Sequence, residues 1–134
     1  LNAKLLHQLP YGAVRDRLPP ELKEEDWLIL RGNLAHLSEA REWVPVLTGS
    51  IEAATDEPDY IAQAAEVAAT LDWSDDPWHA LTGALKERTG RKGKPLFLPL
   101  RRALTGRDSG PEMAPLIKRL GRERTLERLS AAAI

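Results

Sequence analysis

From Gly90 to Glu112 the chain reads Gly-Arg-Lys-Gly-Lys-Pro-Leu-Phe-Leu-Pro-Leu-Arg-Arg-Ala-Leu-Thr-Gly-Arg-Asp-Ser-Gly-Pro-Glu. One short apolar helix, expected from Leu96 to Leu104, sits between glycine-bearing turns. Pro99 is tolerated only near the start of a helix, because it lacks an N–H, so the pattern is that of a short helix. Between Lys86 and Arg107 the chain carries eight basic residues, Lys86, Arg88, Arg91, Lys92, Lys94, Arg101, Arg102 and Arg107, against the single acid Glu87. Cations spread along loops and helix ends suit an extended phosphate backbone better than a small ligand.

Outward from this stretch the helical period persists, and no alternating Val, Ile or Thr run has strand length. The fold class is all-α. Asn2 is placed to cap a short helix through Leu9, and Pro10 to start another turn from Tyr11 to Leu18. A helix from Glu21 to Arg31 would put Leu22, Trp27, Leu28 and Leu30 to one side. Another from Leu34 to Leu47 would align Leu34, Leu37, Ala40, Trp43, Val44 and Leu47. Pro58 opens an alanine-rich helix through Leu71, with Ile61, Ala64, Ala65, Ala68 and Leu71 inward. Asp75-Asp76-Pro77 is a start signal and Gly90 a stop. Helices over Glu112 to Leu120 and Glu123 to Ala133 complete the pattern.

With 134 residues and 43% hydrophobic composition, the chain can bury one core. It opens at Leu1 without a methionine and is read as a fragment of a larger protein. It has no cysteine, which removes disulfides and zinc–thiolate sites and fits a cytoplasmic setting. No apolar run approaches membrane-spanning length. The formal net charge of -1 conceals two opposed halves. Leu1 to Leu85 holds 6 basic and 15 acidic residues, and Lys86 to Ile134 holds 13 basic and 5 acidic. Such asymmetry marks an acidic scaffold with a basic contact surface, or else two solvated faces that neutralise one another.

Catalytic signatures are absent from the sequence. His7, His36 and His79 lie far apart, without the spacing of metal ligands, so no metal site is expected. Gly93-Lys94 lacks the rest of a phosphate-binding loop, since Arg88 and Pro95 stand where glycine and Ser or Thr are needed. Glu24, Glu25, Asp26, Asp75 and Asp76 are explained by helix starts. Trp27 and Trp43, at helical spacing beside leucines, read as core. Trp73 and Trp78 flank a turn and are open to either core packing or base stacking. Arg101 and Arg102 share a helix with Phe97, Leu98, Leu100 and Leu104, and at most one of them can point fully to solvent.

The order Pro-Leu-Arg-Arg-Ala-Leu-Thr-Gly (Pro99 to Gly106), Gly-Pro-Glu (Gly110 to Glu112) and Leu-Ile-Lys-Arg-Leu-Gly-Arg-Glu-Arg (Leu116 to Arg124) resembles the C-terminal anticodon-binding region of bacterial glutamyl-tRNA synthetases. Leu1 to Lys4 and Leu30 to Trp43 resemble the end of that family's stem-contact domain and the helix leading onward. The resemblance implies a stem-contact segment over residues 1–45 and an all-helical anticodon-binding cage over residues 46–134. It implies a parent glutamate–tRNA ligase of class I, whose separate catalytic domain uses ATP and Mg²⁺. The His-Ile-Gly-His and Lys-Met-Ser-Lys-Ser signatures of that domain are missing here, so the chain is expected to bind RNA without catalysis or cofactor.

Carried over by residue order, the family's anticodon-contacting arginine falls on Arg101, with further contacts near Gly110 and Met113. Lys92, Lys94, Arg102 and Arg107 would then grip phosphates. An arginine that favours the glutamate over the glutamine anticodon falls on Asn33, a departure. Either discrimination is relaxed, or Arg31 takes over the reading, or Asn33 simply caps a helix beginning at Leu34. The implied partner is tRNA(Glu), with tRNA(Gln) a second candidate, and a monomer is expected. The alternative drawn from the charge pattern is an all-helical adaptor that docks an acidic protein.

Overall fold

Short, locally signalled helices account for the architecture. A computed structural model describes residues 3–52 and 57–133, which are helices, 3-10 turns and loops without a strand among them. The all-α class follows. The expected Asn2 cap lies outside the described residues. The chain forms two compact units, Leu1–Ser50 with Gly110–Glu112, and Ile51–Ser109 with Met113–Ile134.

The first unit contains α1 (Ala3–Leu6), α2 (Tyr11–Val14), α3 (Glu24–Leu30) and α4 (Val44–Thr48). Helix α3 starts three residues later than expected, where Asp26 Oδ2 accepts the Lys23 backbone N–H at 2.9 Å. Trp27 and Leu30 take its buried side, which leaves Leu28, expected in the core, 50% exposed. Trp27 is fully buried, and its indole N–H donates to Leu9 O at 2.8 Å, which satisfies its one polar atom. His7 is likewise structural, its Nε2 lying 2.8 Å from Leu34 O.

The expected helix from Leu34 to Leu47 is corrected. Leu37–Trp43 winds as a 3-10 helix and only Val44–Thr48 is α-helical. Within the 3-10 stretch Ala40 and Trp43, three residues apart, are buried on one side, whereas Leu37 and Val44, expected on the core stripe, stay partly exposed. Asn33 caps nothing there. It closes the 3-10 turn Arg31–Asn33, and the later helix is entered at His36, whose N–H donates to Glu39 Oε1 at 2.6 Å.

The second unit packs α5 (Pro58–Thr70), α6 (Pro77–Thr89), α7 (Lys94–Thr105) and α8 (Met113–Ala132) against one another. Helix α5 buries Tyr60, Ile61, Ala64, Val67 and Ala68, while Ala65 and Leu71, expected inward, are partly exposed. The rotation brings Tyr60 inward, where its hydroxyl donates to Leu96 O at 2.8 Å. Helix α6 is capped by Asp76, which accepts the His79 N–H at 3.1 Å, and ends at Gly90 (φ 74°). Helix α8 breaks at Gly121 (φ 81°, ψ 170°), a conformation essentially confined to glycine, so its two halves match the two short helices expected.

Helix α7 starts two residues earlier than expected and runs through Pro99. Proline at position 99 offers no N–H to Pro95 O. Arg91 supplies the missing donor, its Nη1 reaching Pro95 O at 2.9 Å.

Candidate nucleic-acid interface

The basic stretch separates into cations tied down by the fold and cations left to solvent. Arg88 pairs with Glu66 at 2.7 Å, an exposed pair. Arg91 is held three ways: by Pro95 O, by Glu57 Oε1 at 2.8 Å, and over the Tyr60 ring with Cζ 4.0 Å from the centroid. The hydrogen bond that Arg91 donates to Glu57 raises its pKa above the usual arginine value. Lys86, Lys92 and Lys94 are exposed, and none has an ion-pair partner among the described residues. Unpaired ammonium groups on a loop and a helix start suit phosphates, because no intramolecular ion pair must first be broken.

On α7, Lys94, Phe97 and Arg101 are spaced i, i+3, i+7 and so lie along one side of the helix. Lys94 and Phe97 are exposed and Arg101 is partly buried. Burial holds the Arg101 guanidinium below the usual arginine pKa. Arg102 forms a two-point pair with Asp108, Nε to Oδ1 at 2.6 Å and Nη2 to Oδ2 at 3.2 Å. That pairing keeps the Asp108 carboxyl below its ordinary pKa. The Thr-Gly turn after α7 is fixed by Thr105, whose hydroxyl donates to Arg101 O at 2.7 Å and accepts the Arg107 N–H at 3.0 Å.

Met113 is only 5% exposed, so its side chain faces the interior, while Gly110 is partly accessible. In the first unit, Arg31 Nη1 donates to Leu9 O at 3.0 Å, the same carbonyl that Trp27 uses, and Asn33 is exposed. Trp73 is accounted for by its indole bond to Ala68 O at 3.2 Å.

Sequence reasoning missed a groove in the second unit. It has a volume of about 450 Å³, with Trp78, Gly83, Lys86, Lys92, Gly93 and Phe97 on its walls. Trp78 and Phe97 meet with ring centroids 6.1 Å apart and planes inclined by 36°. The juxtaposition of Trp78 with a residue nineteen positions later has no local signal; the sequence leaves Trp78 open to core packing or base stacking.

Residues 47–133 match the family model described as anticodon binding domain. The chain belongs to the anticodon-binding domain family. Over 134 aligned residues this anticodon-binding domain protein is 52% identical to glutamate–tRNA ligase 1 of Novosphingobium aromaticivorans, covering 98% of the chain and 30% of that protein. It is 50% identical to glutamate–tRNA ligase 2 of Sphingopyxis alaskensis, covering 98% of the chain and 31% of the relative. The chain thus spans about a third of the length of these curated relatives. Its fold resembles the crystal structure of a glutamate tRNA ligase from Elizabethkingia meningosepticum, with a TM-score of 0.77 at 16% identity over 98% of the chain and 30% of that structure. At that identity the likeness speaks for fold alone. The span matched by the family model includes the free lysines, the α7 row and the groove.

Proposed function

We propose that this anticodon-binding domain is the tRNA-reading part of a glutamate–tRNA ligase and that it binds the anticodon stem-loop without performing chemistry itself. The observation that carries the reading is the separation of cations within the matched span: Lys86, Lys92 and Lys94 lack partners among the described residues, beside a helix row that ends in Arg101. Phosphates are held by Lys92 and Lys94, with Arg107 close to the turn. Arg102 can join them only by sharing its guanidinium with Asp108. Splayed anticodon bases, unstacked in a single-stranded loop, are read on their edges by Arg101 and by backbone groups around Gly110. Met113 is buried, so its side chain is not placed to touch a base directly.

In the parent, activation of glutamate with ATP and Mg²⁺ belongs to a catalytic domain whose signatures this chain does not contain. The parent is a cytoplasmic monomer whose partner is tRNA(Glu), with tRNA(Gln) admitted to the extent that Asn33 relaxes discrimination. The relatives' names support the amino acid, and the absence of any described helix long and apolar enough to cross a membrane is compatible with the compartment.

Fluorescence anisotropy of a labelled glutamate anticodon stem-loop tests the reading. Saturable binding that weakens with salt and prefers the glutamate anticodon over an unrelated loop is expected. A chain that ignores the stem-loop but captures acidic peptides would instead be the adaptor considered from the charge pattern.

A further inference from the structure

We propose that the groove between α6 and α7 is a subsite for one unpaired RNA nucleotide, its base against Phe97 and Trp78 and its phosphate on Lys86 and Lys92. The inference rests on the reading of the chain as an RNA binder and adds a location and a chemistry for one nucleotide.

Four observations converge there. Phe97 is 43% exposed, which leaves an aromatic face in water beside a second ring 6.1 Å away. The Trp78 indole N–H has no acceptor among the described residues, whereas those of Trp27 and Trp73 donate to carbonyls, so a donor is free for a base edge or phosphate oxygen. Lys86 and Lys92 stand on the same walls without ion-pair partners, and no carboxylate lines the groove among the described residues. Gly83 and Gly93 leave open space there, since a Cβ at either would meet nothing within 4 Å.

A polyanion with flat apolar bases complements this combination, because stacking uses the rings and the lysines take the backbone. A purely apolar peptide would leave both ammonium groups unused. The volume of about 450 Å³ suits a single base and its sugar better than a stacked run. Phe97 lies one turn before Arg101 on α7, so the nucleotide held here is a neighbour of the one that Arg101 reads.

The test is stem-loop binding by the 134-residue chain and by two variants, Phe97→Ala and Gly83→Leu, with folding checked by circular dichroism and urea unfolding. Leucine at position 83 raises helix propensity and obstructs the groove without changing charge. Each variant should weaken binding of the intact stem-loop by roughly 5- to 150-fold, the range of one lost base stack. Abasic substitution at one loop position should abolish the difference between wild type and Phe97→Ala, and Phe97→Trp should restore affinity. Unchanged affinity in both folded variants would overturn the subsite while leaving the anticodon-binding reading intact, and so would a Phe97→Ala effect that survives abasic substitution at every loop position. No stem-loop binding by the wild type would overturn both.

Discussion

The guanidinium of Arg128 donates to the carbonyl of Leu104 across 2.8 Å, so a cation carried by α8 completes the last turn of α7. Leu104 belongs to the carbonyls that a helix end leaves without an internal donor, and a buried arginine is a strong partner for it. Burial lowers the Arg128 pKa to about 10, with Arg124 adding repulsion, yet the group stays charged at neutral pH. Arg128→Ala should therefore destabilise the chain by about 2–4 kcal/mol, from an orphaned carbonyl and a cavity. Arg128→Met, which fills space and removes the buried charge, should cost less. Urea unfolding of the two variants separates these effects; equal losses would mean that volume plays no part.

Neutralising Lys92 and Lys94 together should weaken stem-loop binding for every sequence and reduce the slope of log affinity against log salt by about 1–2, since each lost phosphate contact removes about 0.7–0.9 of a released counterion. Arg91→Ala removes a charge from the same stretch but should leave the slope unchanged and lower the urea midpoint, because Arg91 is committed to Glu57, Pro95 and Tyr60. A salt titration of all three proteins checks both halves of the contrast.

Arg101→Ala should reduce affinity for the glutamate anticodon and also compress the preference among anticodons, as a lost base-edge contact costs about 1–3 kcal/mol of discrimination. Arg102→Ala should lower all affinities in parallel. Binding curves for matched and mismatched loops distinguish the two; a parallel fall for Arg101→Ala would reduce it to a phosphate contact or a structural residue.

Asn33 is exposed and Arg31 spends one nitrogen on Leu9 O. Asn33→Arg should accordingly raise the preference for the glutamate over the glutamine anticodon loop, by supplying a charged, forked donor that asparagine lacks. An unchanged ratio of the two dissociation constants would remove Asn33 from the reading.

Tyr60 gives a pH signature. Burial raises its pKa from 10.0 to about 12, although Arg91 pulls the other way. A raised acid pKa favours the folded state below pH 10.0, and that contribution is lost as pH climbs toward about 12. Wild type should exceed Tyr60→Phe by about 1 kcal/mol at neutral pH through the bond to Leu96. That advantage should shrink above pH 10.0 and reverse on approaching pH 12, because only wild type gains an ionised phenol on unfolding. Arg128 acts in the opposite sense over the same range, and it cancels when the two proteins are compared by urea titration at each pH.

Helix ends were legible in the sequence because their causes are local: Asp76 with Pro77, Gly90, and the break at Gly121 each act within one turn. The winding of Leu37–Trp43 was not, since apolar residues three apart satisfy a period of 3.0 as well as 3.6. Leu28 was misplaced for a related reason, one residue of a short helix being free to face either way. At the interface, the basic character of the Lys86 to Arg107 stretch was evident, but which cations are engaged depends on partners such as Glu57, thirty-four residues from Arg91. The groove was invisible because two helices must pack before Trp78 and Phe97 can meet.

The triple hold on Arg91 bears on how quickly RNA is captured. Anchored immediately before Lys92, it fixes one end of the segment leading into Lys94, so conformational entropy is surrendered during folding rather than at encounter. Releasing that anchor would leave the lysines present but make each collision search for a productive loop shape. The loss would then fall on the association rate, with the lifetime of the formed complex changed far less.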